Sequence, residues 1–143
     1  MPSFAKTLVA DTGFWYALYD PGDQYHAEAT ARDHLLQAAN ILLPWPCLYE
    51  TFNTRFAKNK VAVRRFDALI RQAHVILVRD EAYREDALEA TIRTAIIGTR
   101  NISLVDMVIR LILDDVNVRK HGLLTFNRRD FDDLCRKHQI EIV

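Results

Sequence analysis

Five short runs of β-forming residues, Thr7–Ala10, Ile41–Leu43, Val75–Val78, Leu123–Thr125 and Ile140–Val143, recur along the chain, and every gap between them is long enough to hold a helix. Strands joined through helices cannot close as hairpins, because a helical crossover brings each strand in parallel to a neighbour. The alternation therefore predicts an α/β fold: a three-layer α/β/α sandwich around a mainly parallel five-stranded sheet covered on both faces. No internal repeat, low-complexity tract or Pro/Gly-rich linker divides the 143 residues, which read as one domain over 1–143.

Helices are expected where apolar residues recur every three or four positions behind a side chain able to accept from the first free N–H groups. These criteria select Thr12–Tyr19 behind Asp11, Gln24–Ala39 behind Asp23, Glu81–Ile97 behind Asp80 and Leu104–Val118 behind Ser103. They also select Val61–Ala73 and a helix starting near Cys47, in which Leu48, Phe52 and Phe56 form an i, i+4 core stripe. In the short first helix, one or two of Phe14, Trp15 and Tyr16 face the core, which leaves the others as interface anchors.

Half of the residues are hydrophobic, so a chain of this length buries enough surface to fold without disulfides or a structural metal. Cys47 and Cys135 belong to no Cys/His cluster and read as free, buried thiols, and none of the five histidines pairs at i, i+4 with another His or Cys. Apolar runs such as Leu111-Ile112-Leu113 fall far short of the ~18 residues of a membrane span, and the first residues lack a leader pattern; a cytoplasmic protein is expected. Nineteen basic and nineteen acidic residues cancel, so the net field gives no argument for a nucleic-acid partner. The balance holds only over the whole chain, however: between residues 51 and 79 stand Arg55, Lys58, Lys60, Arg64, Arg65, Arg71 and Arg79 against the single acid Asp67.

The chemistry-bearing positions are acids at strand ends or helix starts, where open α/β sheets build their sites. Asp11 follows the first strand, Glu50 lies off the apolar stripe of its helix, and Asp130 follows the fourth strand within Thr125-Phe126-Asn127-Arg128-Arg129-Asp130. Asp106 shares with Arg110 an otherwise apolar helix from Ser103 to Leu113. Each acid alone also reads as a cap or as half of a surface pair, Asp106 with Arg110 at i, i+4 among them. Together, four carboxylates in one cleft repel and hold protons unless a cation stands between them. An all-oxygen donor set suits Mg²⁺ or Mn²⁺ better than zinc. An acidic metal cleft beside a basic segment points to phosphodiester chemistry.

Taken in order, Val9-Ala10-Asp11-Thr12-Gly13, the segment from Asp23 through His26 to Ala29, Glu50, Ile102-Ser103-Leu104-Val105-Asp106 and Leu124-Thr125-Phe126-Asn127 through Asp130-Phe131 resemble the PIN-domain ribonucleases, particularly the VapC-type toxins of toxin-antitoxin modules. The resemblance spans nearly the whole chain. It implies strand order 3-2-1-4-5 and a Mg²⁺-dependent endoribonuclease acting on single-stranded or loop RNA, tRNA or mRNA, with 5′-phosphate and 3′-hydroxyl products. It also implies a protein antitoxin and a homodimer.

Carried onto this sequence, the resemblance makes Asp11 and Asp106 the direct metal ligands. Glu50 and Asp130 then position water or a second metal, and Thr125 and Asn127 supply neutral hydrogen bonds. The family's fourth motif often reads Thr-x-Asp; here it reads Thr125-Phe126-Asn127, with the carboxylate three residues later at Asp130. The basic segment supplies Arg55, Lys58, Arg64 and Arg65 as RNA-binding candidates, with ordinary solvated helix residues as the competing reading. A PIN-like domain that only binds RNA or protein, with Asn127 marking lost activity, is the alternative function. A nucleotide-binding module is disfavoured because all four glycines are isolated.

Overall fold

The computed structural model describes residues 4–98 and 100–143. Five strands, β1 (Thr7–Ala10), β2 (Asn40–Pro44), β3 (Val75–Val78), β4 (Gly122–Leu124) and β5 (Glu141–Ile142), form one sheet in the order β3-β2-β1-β4-β5. All four pairings are parallel, with Leu8 opposite Ile41 on one side and Val9 opposite Leu123 on the other. The expected order is borne out, and the sheet is wholly rather than mainly parallel. Gly122 lets β4 pack closely on its neighbours: a Cβ there would stand 2.7 Å from Leu8 Cδ2 and 3.2 Å from the Glu141 carbonyl, so both would have to give way.

Among the described residues, eight α-helices cover the sheet: α1 (Thr12–Tyr19), α2 (His26–Ala31), α3 (Trp45–Thr51), α4 (Thr54–Ala57), α5 (Lys60–Ile70), α6 (Arg84–Ile97), α7 (Leu104–Asp114) and α8 (Arg128–Lys137). Strand side chains alternate between the faces. Leu8, Ala10, Ile41 and Leu43 join Phe14, Trp15 and Phe66 in one core, while Val9, Leu42 and Leu123 join Ile109, Leu113 and Phe131 in the other. Cys47 and Cys135 are free and buried. No described helix is long and apolar enough to cross a membrane.

Several expectations are corrected. The helix expected over Gln24–Ala39 is two pieces, α2 and a 3-10 helix over Asp33–Gln37. Its alanine stripe buries little, with Ala27, Ala31 and Ala38 exposed, so packing does not hold one continuous helix. Asp23 does not cap α2 but accepts from the Tyr25 N–H at 2.8 Å. The helix near Cys47 starts at Trp45 and breaks after Thr51, because the Asn53 side chain accepts from Phe56 N–H at 2.9 Å and starts α4 afresh. Asp80 grips the Arg84 side chain rather than capping a helix at Glu81. α7 stops at Asp114, one residue before Asp115, which is held by Tyr83 and by the Asn117 N–H. Both Phe14 and Trp15 are fully buried within the chain, which removes Trp15 as an interface anchor; Tyr16 is half-buried.

Candidate active site

β1 and β4 are neighbours although separated in sequence by most of the chain, so the direction of winding reverses between them. Crevices form at such reversals, outside the carboxyl ends of the strands. Asp11 leaves β1 there, and the Thr125–Asp130 turn leaves β4. The Asp11 N–H donates to the Leu124 carbonyl at 3.1 Å, which joins the two strand ends.

Asp11 is 6% exposed, and uncharged donors satisfy it: Oδ1 accepts from the Thr12 N–H at 2.6 Å and Oδ2 from the Thr125 hydroxyl at 2.9 Å. It therefore starts α1, as its bland reading required, yet remains a desolvated charge. Burial pushes its carboxyl up to about 6 despite both hydrogen bonds, and the charges of Glu50 and Asp130 add to the rise.

Asp106 sits in the first turn of α7, which Ser103 caps through its hydroxyl at 3.1 Å. Burial pushes the Asp106 carboxyl up to about 7, with further contributions from Asp11, Asp130 and Glu50. Asn127 links this side to the β4 turn, its amide donating to Asp130 Oδ2 at 2.9 Å and to Asp106 Oδ2 at 3.4 Å. The Asn127 N–H in turn donates to Thr125 Oγ1 at 3.0 Å. The neutral Asn127 side chain thus bridges two carboxylates, and Asp130 occupies the first turn of α8 without capping it.

Glu50 lies on the exposed lip of the crevice, where its carboxylate accepts from the Thr12 hydroxyl at 2.8 Å. Its main-chain carbonyl accepts from the Tyr16 hydroxyl and from Asn53 Nδ2. The charges of Glu50 and Asp130 reach both Asp11 and Asp106. The four do not form an ion cage: among the described residues no three His, Cys, Asp or Glu side chains gather closely enough to hold an ion by themselves.

Arg110 does not pair with Asp106. Its guanidinium grips Asp133 through two bonds of 2.7 and 2.8 Å and donates to the Asp130 carbonyl at 2.6 Å. Arg100 donates to the neighbouring Arg129 carbonyl at 2.6 Å and approaches Asp133 at 3.5 Å. Two guanidiniums therefore hook successive carbonyls at the start of α8, fixing the turn that carries Asn127 and Asp130. Sequence reasoning missed this clamp and missed Thr12, Tyr16 and Asn53 around Glu50. Arg110 stood out as the second charge on an apolar helix, but nothing in its spacing pointed to Asp133.

A divalent cation fits the donor set by its chemistry. Asp11 and Asp106 offer hard oxygens, both are desolvated and raised, and among the described residues no Lys or Arg side chain bonds to the carboxylate of Asp11, Asp106 or Asp130. Mg²⁺ commonly takes only one or two carboxylates and keeps several waters, so it needs no three-acid cage.

The basic candidates are on the surface but do not form an unbroken cationic stripe. Arg55 pairs with Asp20 at 3.7 Å, and Arg65 lies over the Tyr19 ring and faces Asp33 at 4.0 Å. Lys58 and Arg64 are exposed. Only Arg55 lines the cleft beside Tyr16.

No family model matches the chain, and no curated protein matches it. Among solved structures it matches Mycobacterium tuberculosis VapC20, described as a sarcin-ricin loop cleaving toxin, with a TM-score of 0.68 and 21% identity over 88% of this chain and 94% of that one. Identity at that level carries the fold alone: this chain and that protein share one fold.

Proposed function

We propose that the protein is a Mg²⁺-dependent endoribonuclease and the toxin of a toxin-antitoxin pair, cutting single-stranded or loop RNA. The observation that carries the reading is the pair of desolvated, raised carboxylates, Asp11 and Asp106, at the sheet's reversal point, to which no Lys or Arg among the described residues is bonded. The VapC20 likeness supports it at the level of fold.

In this reading Asp11 and Asp106 hold the metal, with Mn²⁺ a substitute for Mg²⁺. A bound Mg²⁺ lowers the pKa of water and offsets charge on the phosphate and the leaving 3′-oxygen. The remaining work belongs to the chain. Thr125 fixes the orientation of Asp11 through Oδ2. Asn127 holds Asp106 and Asp130 in register through its amide N–H groups, which leaves its side-chain carbonyl to accept from water. Glu50, steadied by Thr12, and Asp130 orient the attacking water from the two sides of the crevice. Unpaired RNA suits such a site because an A-form helix hides its base edges from side chains.

The partners in this reading are RNA, a protein antitoxin and a second copy of the chain. Leu88, Ile92 and Ile96, exposed at i, i+4 spacing along α6, offer an apolar face of the kind partners cover. Sedimentation of wild type and Ile92→Glu checks that part: an unchanged mass removes α6 from the self-interface.

The deciding experiment incubates purified, antitoxin-free protein with a pool of structured RNAs in Mg²⁺, beside EDTA, Asp11→Asn and Asp106→Asn. Specific cuts with 5′-phosphate ends, absent in all three controls, are expected. Folded protein that cuts nothing in Mg²⁺ or Mn²⁺ overturns the nuclease reading in favour of a binding-only domain.

A further inference from the structure

Tyr16 lies one helical turn beyond Thr12 on α1, on the same side of the helix. Thr12 holds the Glu50 carboxylate, and Tyr16 holds the Glu50 carbonyl while accepting from Asn53 Nδ2 at 2.7 Å. Past the Tyr16 ring opens a cleft of about 510 Å³, lined by Tyr16, Asp20, Asp23, Asn53, Arg55 and Asn59 among others. Tyr16, on its wall, bonds to the Glu50 carbonyl and stands one turn of α1 from Thr12, which holds the Glu50 carboxylate.

The lining limits what the cleft admits. Two carboxylates on its wall repel phosphate, and Arg55, the one guanidinium in the lining, already faces Asp20 at 3.7 Å. An aromatic wall, amides, a guanidinium and carboxylates instead suit a neutral, planar group with hydrogen bonds on its edge. Unpaired RNA bases are bound in this way, stacked on aromatic or guanidinium planes and read along their edges.

Asp23 is the reader with a spare atom. Its Oδ1 accepts from the Tyr25 N–H at 2.8 Å, and Oδ2 has no protein partner among the described residues. Asp20, by contrast, spends Oδ1 on the Gly22 N–H and turns Oδ2 to Arg55.

We propose that this cleft is a base-reading subsite that takes the nucleobase flanking the scissile phosphate, with Asp23 accepting from a donor on the base edge. The inference rests on the nuclease reading and adds a specificity to it. A carboxylate there favours guanine, whose N1–H reaches Oδ2 while its exocyclic amine reaches Oδ1 beside the Tyr25 bond, and disfavours uracil, whose single N3–H stands between two carbonyls that a carboxylate repels.

The test uses a pool of RNAs carrying a random single-stranded insert, cut by the full chain in Mg²⁺, with the nucleotides on both sides of each cut read by sequencing. Wild type is compared with Asp23→Asn, which keeps the acceptor for Tyr25 and turns the free acceptor into a donor, and with Arg55→Ala, whose side chain is 90% exposed. Enrichment of guanine at one position beside the cut is expected in wild type. About a tenfold loss of that enrichment is expected in Asp23→Asn, the scale of one base-edge pair, with other positions unchanged. Arg55→Ala is expected to weaken the same position, with a thermal midpoint matching wild type. Cutting by all three proteins with one shared profile overturns the subsite and leaves the nuclease reading standing. Wild type that cuts nothing overturns both.

Discussion

Asp11 and Asp133 are both held in place by hydrogen bonds at the same end of the molecule, yet their electrostatic settings are opposite. Asp133 is half-exposed and bound by two guanidiniums, and Arg110 pulls its carboxyl down to about 2. Asp11 is buried, bonded only to an amide and a hydroxyl, and pushed up to about 6. Asp106 sits with Asp11, pushed up to about 7. The chain places arginines next to the site and commits them to the α7–α8 clamp, so the charges of Asp11 and Asp106 remain for something other than protein to neutralise. A paired acid stabilises the fold; an acid left raised costs stability and marks a binding site.

The comparison is sharpest at the raised acids. Asp11→Asn or Asp106→Asn is expected to reduce RNA cleavage by about a thousandfold or more, the scale of losing an essential group. The same changes are expected to raise the unfolding midpoint in metal-free buffer at neutral pH, since each removes a desolvated charge, buried at Asp11 and partly buried at Asp106. Denaturation measured without metal checks this, and a lowered midpoint in both variants breaks the contrast with Asp133.

Next in size is the clamp. Arg110→Met is expected to cost about 2 kcal/mol, below the range for breaking a fully buried pair because Asp133 is half-exposed. Because Arg110 also holds the Asp130 carbonyl, cleavage is expected to fall by about tenfold at temperatures where the variant is folded. A variant equal to wild type in both urea midpoint and cleavage rate removes the clamp from the account.

The pH dependence follows with opposite signs. A carboxyl raised in the folded state binds more protons there than in the unfolded chain, so stability falls as pH rises from about 4 through about 6 for Asp11 and about 7 for Asp106. Without metal the midpoint is expected to decline across that window, and millimolar Mg²⁺ is expected to flatten the decline. The smallest effect belongs to Asp133, whose depressed carboxyl contributes stability above about pH 4 that is lost as pH falls towards 2. Asp133→Asn is expected to cost about 1 kcal/mol at neutral pH after allowing for solvent screening of an exposed pair. Urea titrations of this variant and wild type at pH 7 and pH 3 check the difference, which shrinks on acidification.

Much of this organisation was legible in the chain. The five strands fall within a residue or so of their expected ends, and Asp11, Asp106 and Asp130 flank the crevice that their positions at strand and helix ends implied. Strong local signals produced these agreements: dense β-branched runs, Ser103 ahead of an apolar helix, and an acid directly after a strand. The failures lie where local signals were weak or shared. Ala27, Ala31 and Ala38 mimic an amphipathic stripe but bury too little to bind a helix to the sheet. Two of Phe14, Trp15 and Tyr16 enter the core, as expected, but which two was settled by α1 packing between the sheet and the aromatic cluster of Phe56 and Phe66, which no periodicity within eight residues can reveal.

By itself the sequence determined the parallel α/β architecture and which acids stand at strand and helix ends, because hydrophobic period and capping chemistry act over a few residues. The tertiary structure alone decided which charges find partners. Arg110 chose Asp133 over Asp106 four residues away, Thr12 and Tyr16 took hold of Glu50, and Asn127 came to bridge Asp106 and Asp130. Those choices join residues far apart in the chain, and their energies depend on burial and on distances that exist only after the helices have docked on the sheet.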